Sequence, residues 1–209
     1  MLKANKIMMI EPAKTKQIGH GHHWHYIYAK RRRRALGIST KQMAWSQVFS
    51  LIGSVIAGAL LESNKTTLAM VAGAFVILPG VFDLNGTLGA ALSAKINHRL
   101  EDPSNHPLPI FIRSVGFALF IAVFGGLLVA TVGGSIAVWI FEASFWQVFW
   151  LAEIAVVLGA VVGLPLIGLL SLLFISRRMN PDDVVGPVES SIFDILTVIS
   201  LALVIGWLL

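Results

Sequence analysis

A chain of 209 residues that is 56% hydrophobic and 13% charged, with a mean hydropathy of +0.79, carries more apolar surface than a soluble domain of its size needs. It reads as an all-α polytopic membrane protein, and the absence of cysteine excludes disulfides and thiolate chemistry. The net charge of +5 does not point to nucleic acid, because Lys and Arg concentrate before the first apolar run and in short loops, where they set topology.

Residues 1–40 form a polar, basic arm, expected to be cytoplasmic. No apolar core precedes Ala44, so no cleavable signal peptide is expected. The arm holds His20-Gly21-His22-His23-Trp24-His25, a density of imidazoles that can bind zinc, nickel or copper. No carboxylate or cysteine completes such a site, and a solvated arm is the reading kept. Lys30 and Arg31 to Arg34 are assigned to cytoplasmic retention against anionic lipid.

A five-helix membrane domain is expected over residues 41–209. The first span covers about Met43 to Leu61, with Trp45 at its interface and Gly53, Ala57 and Gly58 on a small-residue face. The second segment, about Thr66 to Ile96, is too long and too interrupted for a plain span. Its middle, Leu78-Pro79-Gly80 to Gly86-Thr87-Leu88-Gly89, is expected to break the helix. Asp83, Asn85 and Thr87 bring oxygens to that break, either as an ion-contacting, pore-lining kink or as polar groups that satisfy freed carbonyls.

The third span follows Pro107 and Pro109 and reaches Phe141. Gly125-Gly126 and Gly133-Gly134 suit tight helix contact, and Arg113 is placed at the interface, reaching towards lipid phosphate. The fourth span covers about Phe145 to Ile175. Trp146 and Trp150 form its outer belt, Glu153 is expected to snorkel outward or line an outer vestibule, Gly159 and Gly163 form a packing pair, and Pro165 is a kink. The N-terminal arm, the 95–107 loop and the 176–183 loop carry most of the Lys and Arg, whereas the 62–66 and 141–146 turns carry one Lys between them. Five spans with the N-terminus inside place Leu209 outside.

The last stretch is the most informative. It opens with Asn180-Pro181-Asp182-Asp183, is expected to turn helical near Gly186-Pro187, and runs apolar to the C-terminus. Glu189 is expected to be shallow enough to reach water. Asp194 lies deeper, with no Lys or Arg after it. An ionised carboxylate at a membrane helix centre costs about 2.5–3.5 kcal/mol, so it must face water, a partner or a cation. Asp183, Gly186, Ser190, Asp194 and Thr197 are spaced to share one helical face. That small, polar wall with one deep acid is what half of a cation pore requires.

These residues resemble a known family. Pro79-Gly80 with Gly86-Thr87-Leu88-Gly89 is similar to the second-helix signature of the MgtE and solute-carrier-41 magnesium transporters. Asn180-Pro181-Asp182, Gly186-Pro187, Ser190-Ser191 and Asp194 are similar to their last-helix signature. The resemblance covers about residues 40–209. Thr87 stands in place of the usual asparagine, Asn180 in place of the first loop aspartate, and Gly186 where some bacterial members have an asparagine. The chain looks like a half-sized, single-repeat member without cytosolic sensing domains. The resemblance implies Mg²⁺ or a related divalent cation as the transported ion, contacted by Asp194, Ser190, Gly186, Asp83 and Thr87.

Magnesium dehydrates reluctantly and prefers a few carboxylates with its waters retained. One Asp194 per chain is too little, so a twofold homodimer in the lipid of the cell membrane is expected, with two Asp194 side chains at one axis. Facing carboxylates repel unless a cation sits between them. The alternatives are a sodium- or proton-coupled exchanger using Asp194 and Asp83, a membrane enzyme, and a non-transporting assembly protein with Asp194 as helix glue. An enzyme would need several polar groups at one depth, and no span holds a histidine.

Overall fold

The computed structural model describes the backbone of residues 22–101, 106–177 and 181–208, and the side chains of residues 43–101, 106–177 and 184–208. The side chains of the His-rich and Arg-rich arm, and Asn180, Asp182 and Asp183, therefore lie outside the described residues. Among the described residues there are six helices and no strand: α1 (His22–Ser63), α2 (Lys65–Ala69), α3 (Ala74–Leu100), α4 (Pro107–Phe141), α5 (Phe145–Ser176) and α6 (Pro181–Leu208). The chain divides into two compact units, Met1–Gly37 and Ile38–Leu209. In the first, the backbone is helical from His22. The second carries all that follows.

Five helical stretches are long and apolar enough to cross a membrane: Met43–Ser63, Ala74–Leu100, Pro107–Phe141, Phe145–Ser176 and Val184–Leu208. Large apolar side chains cover their outward faces, including Trp139, Trp207, Val55 and Leu128. A soluble protein would not leave such a surface to water.

The core is built from ridges at four-residue spacing. On α3 the buried ridge is Val81, Asn85, Gly89 and Ser93, and on α5 it is Ala155, Gly159, Gly163, Ile167 and Ser171. On α6 it is Glu189, Phe193, Thr197 and Leu201. Helix α4 contributes a ridge of small residues, Ser114, Ala118, Ala122, Gly126 and Ala130, so its backbone approaches closely. The glycine pairs on α4 meet Leu84, Glu153, Ile77 and Phe145. Small residues dominate because lipid tails are as apolar as leucine, which leaves dispersion and close packing to hold helices together.

The second segment is interrupted, but not at Pro79. The break is at Met70–Gly73, between α2 and α3, where Gly73 takes φ 82°. A side chain there would be strained and would strike Ala137. Helix α3 then runs continuously through Pro79 to Thr87 and beyond. Pro79 lies near the N-terminal end of α3, where it removes one ladder bond, and its ring is exposed. Gly80 lets Val129 approach, so this pair serves packing.

Helix α6 also begins earlier than Gly186-Pro187. Pro181 occupies its first position, where a missing N–H goes unnoticed, and two aspartates follow in the positive first turn. Between α4 and α5 the reversal is tight. Glu142 takes φ 53°, and the N–H of Ala143 reaches back to the Ala137 carbonyl at 3.3 Å.

The tightest fit is Phe193, fully buried between Gly89 of α3 and Gly163 of α5. Gly163→Ala would put a methyl into the ring and should cost about 1–3 kcal/mol. Gly58→Ala, where nothing lies within 4 Å, should cost none. Melting curves of the purified protein in one detergent check the contrast, and equal melting temperatures would remove Phe193 as the keystone.

Candidate cation site

Docking Phe193 between α3 and α5 fixes the rotation of α6, and with it the direction of every polar group on that helix. One turn further on, Asn85 Nδ2 donates to Thr197 Oγ1 at 3.2 Å, with both side chains fully buried. Gly159 leaves room for the Asn85 amide, and a Cβ there would stand 2.8 Å from Nδ2. Asn85 Oδ1 has no partner among the described residues.

The adjoining face of α6 turns to α1. Ser191 donates to the Ser50 carbonyl at 2.9 Å, and Ser190 donates to Pro187 O at 2.9 Å while lying 3.5 Å from Ser50 Oγ. Ser54 donates to Asp194 Oδ2 at 3.5 Å, the long limit for such a bond. Gly53 lets the helices close here, since a Cβ would collide with Ser191. The result is a polar seam of Ser50, Ser54, Ser190, Ser191 and Asp194. Ser54 is exposed and Asp194 half-buried, so the seam is open along one side. Gly186 lies one turn before Ser190, half-buried, with nothing within 4 Å of a Cβ built there.

The structure therefore divides the polar stripe of α6. Ser190 and Asp194 face α1, while Thr197 is taken up by Asn85. Asp83 and Thr87 are exposed on the opposite side of α3 from Asn85, and Thr87 Oγ1 returns to the Leu84 carbonyl at 3.0 Å. Within one chain they do not join Asp194.

Two acids sit differently from expectation. Glu189 does not reach water: it is 3% exposed, packed towards Gly89, and its Oε2 has no partner among the described residues. The ridge that seats Phe193 turns Glu189 inward as well. Glu153 does not snorkel. It is 7% exposed, held against Gly126, with Oε2 likewise unpartnered among the described residues.

Reading the sequence did not find Ser50 and Ser54. The signal was there, because Ser46, Ser50, Gly53, Ser54 and Ala57 share one face of an otherwise apolar helix. Among the described residues no three His, Asp or Glu side chains gather to hold a metal ion. One chain thus offers a cation the Asp194 carboxylate with hydroxyls beside it, which suits a hydrated ion and not a dehydrated one.

The model of the MgtE family, divalent cation transporters, matches residues 78–204. That range includes both signature stretches and more than half of the chain. The chain belongs to the MgtE family of divalent cation transporters. No curated protein and no solved structure matches it. As an MgtE protein it is a multi-pass membrane protein whose family moves divalent cations and is not a family of enzymes.

The buried Asn85–Thr197 bond ties α3 to α6 at the centre of this MgtE domain. Thr197→Val keeps the shape and removes the acceptor, leaving the second polar end of Asn85 unsatisfied. Membrane hydrogen bonds are worth about 0.6–1.7 kcal/mol, and a stability loss in that range is expected by thermal unfolding in detergent. No loss would show that Asn85 finds another partner.

Proposed function

We propose that this MgtE protein conducts hydrated Mg²⁺ across the cell membrane as a twofold homodimer, with the N-terminus cytoplasmic and the C-terminus outside. The Ser190–Asp194 face of α6 forms the ion path. The observation that carries this reading is Asp194: a half-buried carboxylate, deep in an apolar helix, with a long Ser54 bond as its one hydrogen bond among the described residues. A second chain supplies the second carboxylate that a divalent ion needs. Gly186 leaves width for water at the mouth of the path. Asp83 and Thr87, exposed on α3, are in place to meet a partner chain and contribute ligands there.

Asp194→Asn keeps the size of the side chain and removes one charge per chain. Mg²⁺ affinity by calorimetry should fall about tenfold or more, while the melting temperature changes little. An amide could still bind Ser54, so unchanged affinity with lowered stability would mean that Asp194 is only helix glue. The dimer axis has its own test in this cysteine-free chain. Ser190→Cys should cross-link under mild oxidation, and efficient linking at Ile192→Cys in its place would put the axis on another face of α6.

A second reading, proton-coupled exchange, is favoured by one observation: Glu153 and Glu189 are enclosed carboxyls that could carry protons through the bundle. Magnesium flux into proteoliposomes, with and without an imposed pH gradient, separates the two. A channel gives the same flux at equal membrane potential, and an exchanger gives flux driven by the gradient.

A further inference from the structure

Asp194 has a second helix beside it. Ser190 and Asp194 lie one turn apart on α6, and Ser50 and Ser54 lie one turn apart on α1. They meet as two matching rungs, Ser50 Oγ with Ser190 Oγ at 3.5 Å and Ser54 Oγ with Asp194 Oδ2 at 3.5 Å. Beside these rungs the helices are fastened. Ser191 donates to the Ser50 carbonyl at 2.9 Å, and Gly53 lies so close that a Cβ there would collide with Ser191. That contact fixes the register of α1 on α6 and presents Ser54 to Asp194. The α6 half of the seam carries the family signature, whereas α1 precedes the residues that the family model matches.

An exposed hydroxyl on a membrane helix has an easy default, a carbonyl of its own helix. Ser63, Thr131 and Ser135 all take it, donating to Leu60, Leu127 and Thr131. Ser54 is exposed as they are, yet it donates across to a carboxylate on another helix. A serine has one proton and two lone pairs. Ser190 gives its proton to the Pro187 carbonyl at 2.9 Å, Ser191 to the Ser50 carbonyl and Ser54 to Asp194. What these three hydroxyls leave for a ligand is lone pairs. The waters held by a cation turn their hydrogens outward and need acceptors of that kind.

We propose that Ser54 is a positioning residue of the cation site and sets its preference for magnesium over calcium. This rests on the reading of Asp194 as the carboxylate that meets the ion. The Ser54 proton lies on Oδ2, so that oxygen has less charge to offer a metal, and Oδ1 becomes the stronger ligand. A carboxylate that presents one oxygen suits magnesium, which keeps several waters and takes few protein ligands. Calcium takes about six to eight oxygens and accepts both from one carboxylate. Holding Oδ2 on α1 therefore weakens a calcium ligand and leaves the magnesium one in place.

The test titrates purified full-length protein with magnesium chloride and with calcium chloride by calorimetry in one detergent, and reads the ratio of the two affinities. Ser54→Thr keeps the hydroxyl, and Ser54→Val has the same shape without it. Ser54→Val should lower the magnesium-to-calcium affinity ratio about threefold to tenfold, and Ser54→Thr should hold it near that of the unaltered protein. Ser54→Ala is an independent second variant and should follow Ser54→Val. Ser135→Ala, which removes a hydroxyl bonded to its own helix on α4, should change nothing. Melting curves show which variants are folded. A lowered melting temperature with an unchanged ratio in Ser54→Val and Ser54→Ala would reduce Ser54 to helix glue and overturn the proposal, as would a ratio that Ser54→Thr and Ser54→Val lower equally. Asp194→Asn in the same titration separates this proposal from the reading beneath it. If both affinities survive that change, the ion assignment of Asp194 falls and the role of Ser54 falls with it. If both are lost while Ser54→Val keeps the ratio, only the role of Ser54 falls.

Discussion

In a membrane the usual force that drives helices together is missing, because a leucine is as comfortable against lipid as against another leucine. What remains is close contact and the satisfaction of polar groups. In this MgtE protein both meet at Phe193. Its ring fills a slot that exists only because Gly89 and Gly163 lack side chains. A helix held by one aromatic wedge between two backbones has little freedom to rotate. The polar residues of α6 are then sorted by position: Glu189 and Thr197 share the ridge with Phe193 and turn inward, while Ser190, Ser191 and Asp194 turn to α1.

The same packing sets α3 against α4, α5 and α6. Its buried ridge meets α5 and α6, and its partly buried side meets α4 through Leu84 against Gly125. Ser171 donates to Ser93 at 3.0 Å, a second polar tie between α3 and α5 towards the end that bears Lys95 and Arg99. Each tie is small in free energy. Their effect is to fix register, since a wrong pairing would leave a polar group bare among apolar neighbours. Helix α1 lacks such a ridge. Its buried stripe of Ser46, Gly53 and Ala57 is thin, and most of its large side chains face outward.

Much of this was legible in the sequence because membrane physics writes plainly. Five spans, the packing pair Gly159 and Gly163, and the glycine pairs of α4 follow from composition and spacing. The expected break at Pro79 was not found, since α3 is continuous there, and the turn at Met70–Gly73 was not anticipated. Proline is the louder signal in a sequence, yet α3 carries Pro79 at the loss of one ladder bond without ending, whereas Gly73 supplies the positive φ at the turn that does end a helix. The fates of Glu189 and Glu153 were hidden for another reason. A carboxyl near a helix end can snorkel or turn inward at the same sequence position, and only the neighbours decide. For Glu189 the deciding neighbour is Gly89, and for Glu153 it is Gly126, each remote in sequence. Ser50 and Ser54 escaped because a hydroxyl on an apolar helix can always bond its own backbone, so it announces no partner.

Among the acids within the membrane helices, Asp83 is exposed on α3, and Glu153, Glu189 and Asp194 differ in the room around them. Glu189 and Glu153 are buried, Glu189 beside Gly89 and Glu153 beside Gly126, which leaves little room for an ion with its water shell. Stripping magnesium of water is costly, so a tight apolar enclosure selects against it however strong the charge. Asp194 has the opposite setting. Serine hydroxyls line its neighbourhood, one side of the seam is open, and Gly186 one turn before Ser190 has no neighbour within 4 Å of where a Cβ would stand. Room and charge coincide at that position alone among the three. The seating of Phe193 that turns Glu189 inward also turns Asp194 towards α1, so of these two acids on α6 one is buried and the other half-buried beside serine hydroxyls.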